Sequence, residues 1–485
     1  MKSILIVLDT LRRDALAAYG NSWIHTPNIS RLAARGTTYD NHWVGSLPCM
    51  PARREFMTGR HNFLFRGWGP IEPFDDVLPH ELGKSGVFSH LLTDHFHYFE
   101  LGGENYHTAF NTWEFFRGQE DDPWISVVDA PALPEHIGQV RAQNLANRTR
   151  MQNEADFSGP QTIASAVDWL DINRNTDDWF LQVELFDPHE PFHCTDEYKE
   201  MYGATWDGPL NDWPTYGAME ASPEALDHIQ KCYAGLVTMT DRHIGKLLDA
   251  LEKHNLFDDT LIILTTDHGT LLGEKRLWMK NWMPCYNEIA HIPLVVHWPG
   301  QQSAERSARL TQTIDIMPTI LQHHGAPLPP HVSGKALQGE ATHQDIIFGY
   351  FGMAVNITDG REVYFRNPVR DDLGPLHAYT SMPVAGLKTW FPRDVYEHIE
   401  MGRYFGHTYD LPLYKIPANG RAPREAENAF INTHQLFDLT GDAAQEKPLQ
   451  NNEREAFWCA RIEAHLQRNE APPEQWLRLG LGASK

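Results

Sequence analysis

A chain of 485 residues is longer than one compact core fills, so two or three folding units are expected. With 41% hydrophobic and 22% charged residues and no apolar run long enough to cross a bilayer, the composition is that of a globular protein and excludes a membrane span. A formal charge of −23 argues against nucleic acid as a partner, since phosphate binding needs a basic face; a small anionic ligand stays open, because local charge decides binding in a cleft.

Met1 is followed almost at once by Ile4-Leu5-Ile6-Val7-Leu8, which reads as a core strand. The basic start, longer apolar stretch and small-residue cleavage site of a signal peptide are missing. As written, the sequence is expected in the cytoplasm; a leader trimmed beforehand would make it periplasmic or secreted. Further apolar runs predict strands over 87–93, 179–186, 261–266 and 292–298, with Pro293 near the start of the last, where a missing donor is tolerated. Helical spacing is read over 29–35, 163–172 and 225–254. Strands apolar on both faces alternating with helices predict a mostly parallel sheet sandwiched by helices. In such a sheet the site lies beyond the carboxyl ends of the strands. Asp9, Thr93-Asp94-His95, Asp187 and Asp267-His268 all fall there.

After about residue 345 the pattern changes. Short strands are read over 346–350, 354–358 and 362–366, with Asp359-Gly360 as a hairpin turn. A loop-like stretch rich in Pro, Tyr and Phe follows, then a strand at 435–439 and a terminal helix near 454–466. The expected division is a catalytic α/β domain over 1–345 and a smaller C-terminal α+β subdomain with an antiparallel sheet over 346–485. Five cysteines without paired spacing argue against a disulfide framework and a cysteine-ligated zinc site.

One of them carries the strongest signal. Leu47-Pro48-Cys49-Met50-Pro51-Ala52-Arg53-Arg54 and Thr58-Gly59-Arg60 contain Cys-x-Pro-x-Arg followed by Thr-Gly-Arg. This resembles the signature of the formylglycine-dependent (type I) sulfatases, of the alkaline-phosphatase-like superfamily. The resemblance implies that Cys49 is oxidised by a maturation enzyme to an aldehyde whose hydrate is the nucleophile. A sulfuryl group captured by an ordinary hydroxyl or thiol would be about as inert as the substrate. A geminal diol instead lets the second hydroxyl expel sulfate and restore the aldehyde, which divides one hard step into two feasible ones.

Other segments extend the resemblance from about residue 4 to 299. Asp9, Asp267 and His268, with residue 49, match the sulfatase metal site. Its oxygen ligands point to Ca²⁺ first. Thr10 stands where a second Asp is common and His268 where Asn is, which leaves Mn²⁺ or Zn²⁺ open. Asp187-Pro188-His189-Glu190-Pro191-Phe192 resembles the Pro-His-x-Pro-Phe loop, making His189 the acid toward the leaving group. Leu277-Trp278-Met279-Lys280 matches Lys280 to the lysine that binds sulfate and assists its departure, while Lys275 and Arg276 read as surface charges. In Thr93-Asp94-His95-Phe96-His97, His97 matches the histidine that helps collapse the intermediate and His95 stands at a substrate-binding lysine position. Arg53 is expected to fold back on residue 49 and orient its oxygens. Arg54 and Arg66 read as solvated charges, and the segment from Tyr233 to Gly245 as core packing.

The implied activity is hydrolysis of a sulfate ester. Trp23, Trp68, Trp113 and Trp124 in loop-like surroundings suit stacking on sugar rings, so a sulfated carbohydrate such as a glycosaminoglycan fragment is expected, a small aryl or alkyl sulfate next. Thr10 and His268 also fit related phosphonate monoester hydrolases, which keeps a phosphonate or phosphate ester as the alternative.

Overall fold

The computed structural model describes residues 1–418 and 433–482. Its centre is an eight-stranded sheet built from β1 (Lys2–Leu8), β2 (Thr37–Trp43), β3 (Phe88–Thr93), β4 (Thr112–Phe115), β5 (Trp179–Leu185), β6 (Thr260–Thr265), β7 (Leu294–His297) and β8 (Glu305–Gln312). The spatial order is β8-β2-β7-β6-β1-β5-β3-β4. Only β7 runs antiparallel to its neighbours, so the sheet is mostly parallel, as the apolar strands imply. The polar sequences of β2 and β8 hide them from a pattern search. They pair with each other toward one edge of the sheet, where a strand need not be apolar on both faces.

Alternation along β1 divides the core. Ile4, Ile6 and Leu8 join one cluster, beneath helices α1 (Pro27–Ala33), α3 (Ser158–Asn173) and α4 (Pro223–Lys253). Leu5 and Val7 join the other, beneath α2 (Cys49–Thr58) and α5 (Ile316–His323). Both faces are therefore covered.

A second, antiparallel sheet comprises β9 (Ile346–Tyr350), β10 (Val355–Thr358), β11 (Glu362–Arg366) and β12 (Gln435–Asp438). Helix α6 (Asn452–Arg468) covers it with Trp458, Ile462 and Leu466. The short strand Ser46–Leu47 pairs in parallel with β9, so the segment entering Cys49 is anchored in this second sheet. The stretch read as a loop after β11 differs from expectation. It holds a small sheet of His377–Thr380, Glu400–Gly402 and Leu413–Pro417, strands too short to show alternation in sequence. Its remainder, 419–432, lies outside the described residues.

Candidate active site

Two neighbouring parallel strands bring the first carboxylates together. Val7 on β1 stands opposite Thr265 on β6, so Asp9 and Asp267, each two residues further on, leave the sheet side by side. Thr10 follows at φ 62°, an unfavourable conformation for a β-branched residue. Its backbone N–H thereby reaches Asp267 Oδ1 at 3.1 Å, and its hydroxyl donates to Asp9 Oδ1 at 2.6 Å. Tyr233, read as core, also fixes this turn: its hydroxyl accepts from the Arg12 N–H and donates to the Thr10 carbonyl.

Cys49 is the first residue of α2, so the positive end of the helix dipole lies at its side chain. One turn later, Arg53 is fully buried. Its guanidinium donates to Glu184 at 2.5 Å, to Asp267 at 2.7 Å and to Asp9 at 2.7 Å. Expected to orient the oxygens of residue 49, Arg53 thus has three carboxylates as partners. Burial alone would raise the Asp9 carboxyl, but Arg53, His189 and His95 outweigh it and hold the group well below its usual value. Burial, then Asp9 and Asp267, push the Cys49 thiol well up.

His268 closes the group. Its Nδ1 lies 3.0 Å from the Gly269 carbonyl, which can only accept, so the neutral ring carries its proton there and presents an open Nε2. That nitrogen is 3.3 Å from the Cys49 sulfur. Asp9, Cys49, Asp267 and His268 offer ligand atoms all within 4.8 Å of one another. Two carboxylates, a deprotonated imidazole nitrogen and the residue 49 side chain fit a divalent cation.

Lys280, 1% exposed, donates to Glu190 at 2.8 Å and to the Thr10 hydroxyl at 3.0 Å. His189, on the loop after β5, has Nδ1 2.5 Å from the Glu190 carbonyl, which leaves Nε2 as its free nitrogen. Burial drives its pKa down to about 4. Cys49, His97, His189 and Lys280 share the wall of one cleft of about 370 Å³. His97 is held there by Glu100, 2.7 Å from Nδ1. His95, read as a substrate contact, is fully buried with Nε2 3.4 Å from Asp9. It therefore stands behind that carboxylate and is absent from the cleft wall.

Other expectations are corrected. Arg54 and Arg66 are buried ion-pair residues, held by Asp75 and Glu72; those partners lie only 21 and 6 residues on, but no periodic pattern links them. Of the four tryptophans assigned to sugar stacking, Trp68 lines the cleft, whereas Trp23, Trp113 and Trp124 do not. Trp213 and Tyr216 line it instead. Sequence reasoning also missed Glu184, Glu190 and Glu120. An acid inside the apolar run of β5 was a usable signal for Glu184, because a strand covered on both sides tolerates a carboxylate only beside a cation. Glu190 is the variable residue of its motif, and Glu120 has no local signature.

A protein-family model described as Sulfatase matches residues 2–326. The chain is similar to a choline-sulfatase of Rhizobium meliloti (strain 1021), with 25% identity over 366 residues, 67% of this chain and 68% of that one. In three dimensions it is similar to the phosphonate monoester hydrolase of Agrobacterium radiobacter, with a TM-score of 0.68 and 19% identity over 98% of this chain and 96% of that one. It is similar as well to a protein solved in complex with its substrate D-glucosamine-2-N,6-O-disulfate, with a TM-score of 0.66 and 13% identity over 97% and 98%. At these identities the solved structures speak for the fold.

Proposed function

The chain belongs to the sulfatase family, and from that premise we propose that it hydrolyses a sulfate ester through residue 49, converted from cysteine to formylglycine, beside a divalent cation. The observation that supports this reading most is the meeting of Asp9, Asp267 and His268 within 4.8 Å of Cys49, at the foot of a cleft that also holds Lys280 and His189.

Asp9, Asp267 and His268 would hold the cation, which lowers the pKa of an attacking hydroxyl and draws charge off sulfuryl oxygens. Ca²⁺ suits the two carboxylates; the imidazole keeps Mn²⁺ and Zn²⁺ open. Formylglycine supplies paired hydroxyls, one to attack sulfur and one to release it. The surrounding side chains do the rest. Lys280, fixed by Glu190 and Thr10, holds the sulfuryl oxygens and offsets the charge that grows on them. His189 would act on the leaving oxygen from Nε2 once that nitrogen carries a proton as well as Nδ1, and His97, on the same cleft, would take the proton that the second hydroxyl gives up. Arg53 pairs with Asp9, Asp267 and Glu184 and so offsets their buried charge beside the nucleophile.

The substrate in this reading is a sulfated carbohydrate, with Trp68 as a flat apolar face for a sugar ring in a cleft otherwise rich in charge. A maturation enzyme that oxidises Cys49 is a required partner. The alternative is a phosphonate or phosphate ester hydrolase, favoured by Thr10 and His268 in the places noted above. Rates of matured protein on a sulfate ester, a phosphate monoester and a phosphonate monoester separate the two. Sulfate turnover, extended to a panel of defined sulfated oligosaccharides, is the expected result; preference for the phosphonate by orders of magnitude overturns it.

A further inference from the structure

Glu120 stands on the same cleft wall, and its carboxyl accepts no hydrogen bond within 3.5 Å among the described residues. Its oxygens lie 3.6 Å from Nδ1 of His189 and 3.9 Å from Nε2 of His97, between the two histidines. The loop is built to hold it there. Gln119, the residue before, donates from one amide nitrogen to both Asp94 and Asp187 at 3.0 Å each. Asn144 donates to the Glu120 carbonyl at 2.6 Å, and Asp121, the residue after, pairs with Arg141. Glu120 itself sits at φ 42°, a conformation few non-glycine residues adopt. Such local strain, secured from both sides, marks a position that the surrounding structure imposes.

The groups facing Glu120 are Glu190, His189, His97, Asp121, Lys280 and Arg141. Burial, then Glu190 and Asp121, raise its carboxyl well above the usual value, and Lys280 and Arg141 oppose this only in part. A carboxyl whose pKa burial and like charges raise is thus set beside an imidazole whose pKa burial drives down to about 4. The pair is matched in the opposite sense to ordinary solution behaviour.

We propose that Glu120 is a further catalytic residue, a proton donor to the leaving oxygen that acts alongside His189. This rests on the sulfate-ester reading above. As the bond between sulfur and the leaving oxygen breaks, its electron pair stays on that oxygen. The Glu120 proton moves onto it and gives a neutral alcohol. The attacking hydroxyl of residue 49 gives up its proton as its oxygen bonds to sulfur, and that proton, passed through solvent, restores the Glu120 carboxyl once the alcohol has departed. A donor of this kind matters for a poor leaving group such as a sugar or alkyl alkoxide, and little for a stabilised phenolate.

The test compares matured full-length protein with Glu120→Gln on an alkyl or sugar sulfate and on para-nitrophenyl sulfate. Glu120→Gln is expected to lower kcat on the alkyl or sugar ester by about 10²–10⁴-fold and to change the aryl ester only a few-fold. The shorter acid in Glu120→Asp should restore part of the loss on the alkyl ester alone. Equal losses on both esters, or no loss on either, overturn the proposal. Wild-type protein that turns over neither ester overturns the underlying sulfatase reading instead.

Discussion

The Cys49 sulfur lies 3.3 Å from Nε2 of His268, although 219 residues of chain separate them. The contact joins the first turn of α2 to the turn that leaves β6, and it forms where Asp9 and Asp267 also emerge from the sheet. Nothing local in either segment requires it; the parallel sheet does, by setting strand ends side by side.

His268 should therefore matter to metal retention as much as to rate. Matured protein is expected to carry a bound divalent ion, to lose activity on dialysis against a chelator, and to regain it with Ca²⁺, Mn²⁺ or Zn²⁺. His268→Ala should weaken binding by more than the roughly 10–100-fold typical of an outer-shell change. Elemental analysis of dialysed wild type and variant checks this, and equal metal content in the two would exclude His268 as a ligand.

Arg53 balances three buried carboxylates, so its removal costs the fold as well as the reaction. Arg53→Ala is expected to destabilise the metal-free protein by about 3–5 kcal/mol, because uncompensated charge remains buried. Arg53→Lys should recover only part of this, since an ammonium cannot fork onto Asp9, Asp267 and Glu184 together. Denaturant midpoints of the three proteins give the ranking.

Asp94 and Asp187 share Gln119 and form no ion pair among the described residues. Burial raises Asp94 to about 6, and burial with the nearby Asp94 raises Asp187 to about 8. Both folded values exceed the unfolded one of 3.8, so the stability that this pair contributes is complete below that pH and is lost as pH rises through the folded values. Thermal unfolding should show wild type weakening between about pH 4 and pH 8. Asp187→Asn should flatten this slope and melt higher than wild type at the alkaline end; identical slopes would contradict the raised Asp187 carboxyl.

Lys280 is held by Glu190 from one side and Thr10 from the other, which leaves little freedom in its ammonium. Lys280→Met is expected to reduce kcat on a sulfate ester by about 10²–10³-fold, the usual cost of removing one preorganised donor. Pairing it with Glu190→Gln removes the stranded buried charge and should restore stability without restoring rate. Steady-state kinetics and melting curves on both variants decide it.

What was legible in the chain follows from how each feature is encoded. The strands at Ile4 and Leu261 stand out because burial on both faces demands continuous apolar residues. Asp9, Cys49 and Asp267-His268 are readable because each directly follows a strand or begins a recognisable motif. Strands β2 and β8 are not, since an edge leaves their polar side chains in place. Arg54 and Arg66 were misread for a different reason: whether an arginine is solvated or buried depends on a partner carboxylate that its own neighbours do not announce. The same holds for Glu120, whose setting is assembled from loops after β3, β4 and β5.

Mass spectrometry of the peptide containing residue 49, taken from protein of known specific activity and treated with an alkylating reagent after unfolding, tests the central claim most directly. The account predicts an aldehyde in place of the thiol, in a fraction that rises in step with activity across preparations. A fully alkylated, unconverted cysteine in protein of full activity would contradict it.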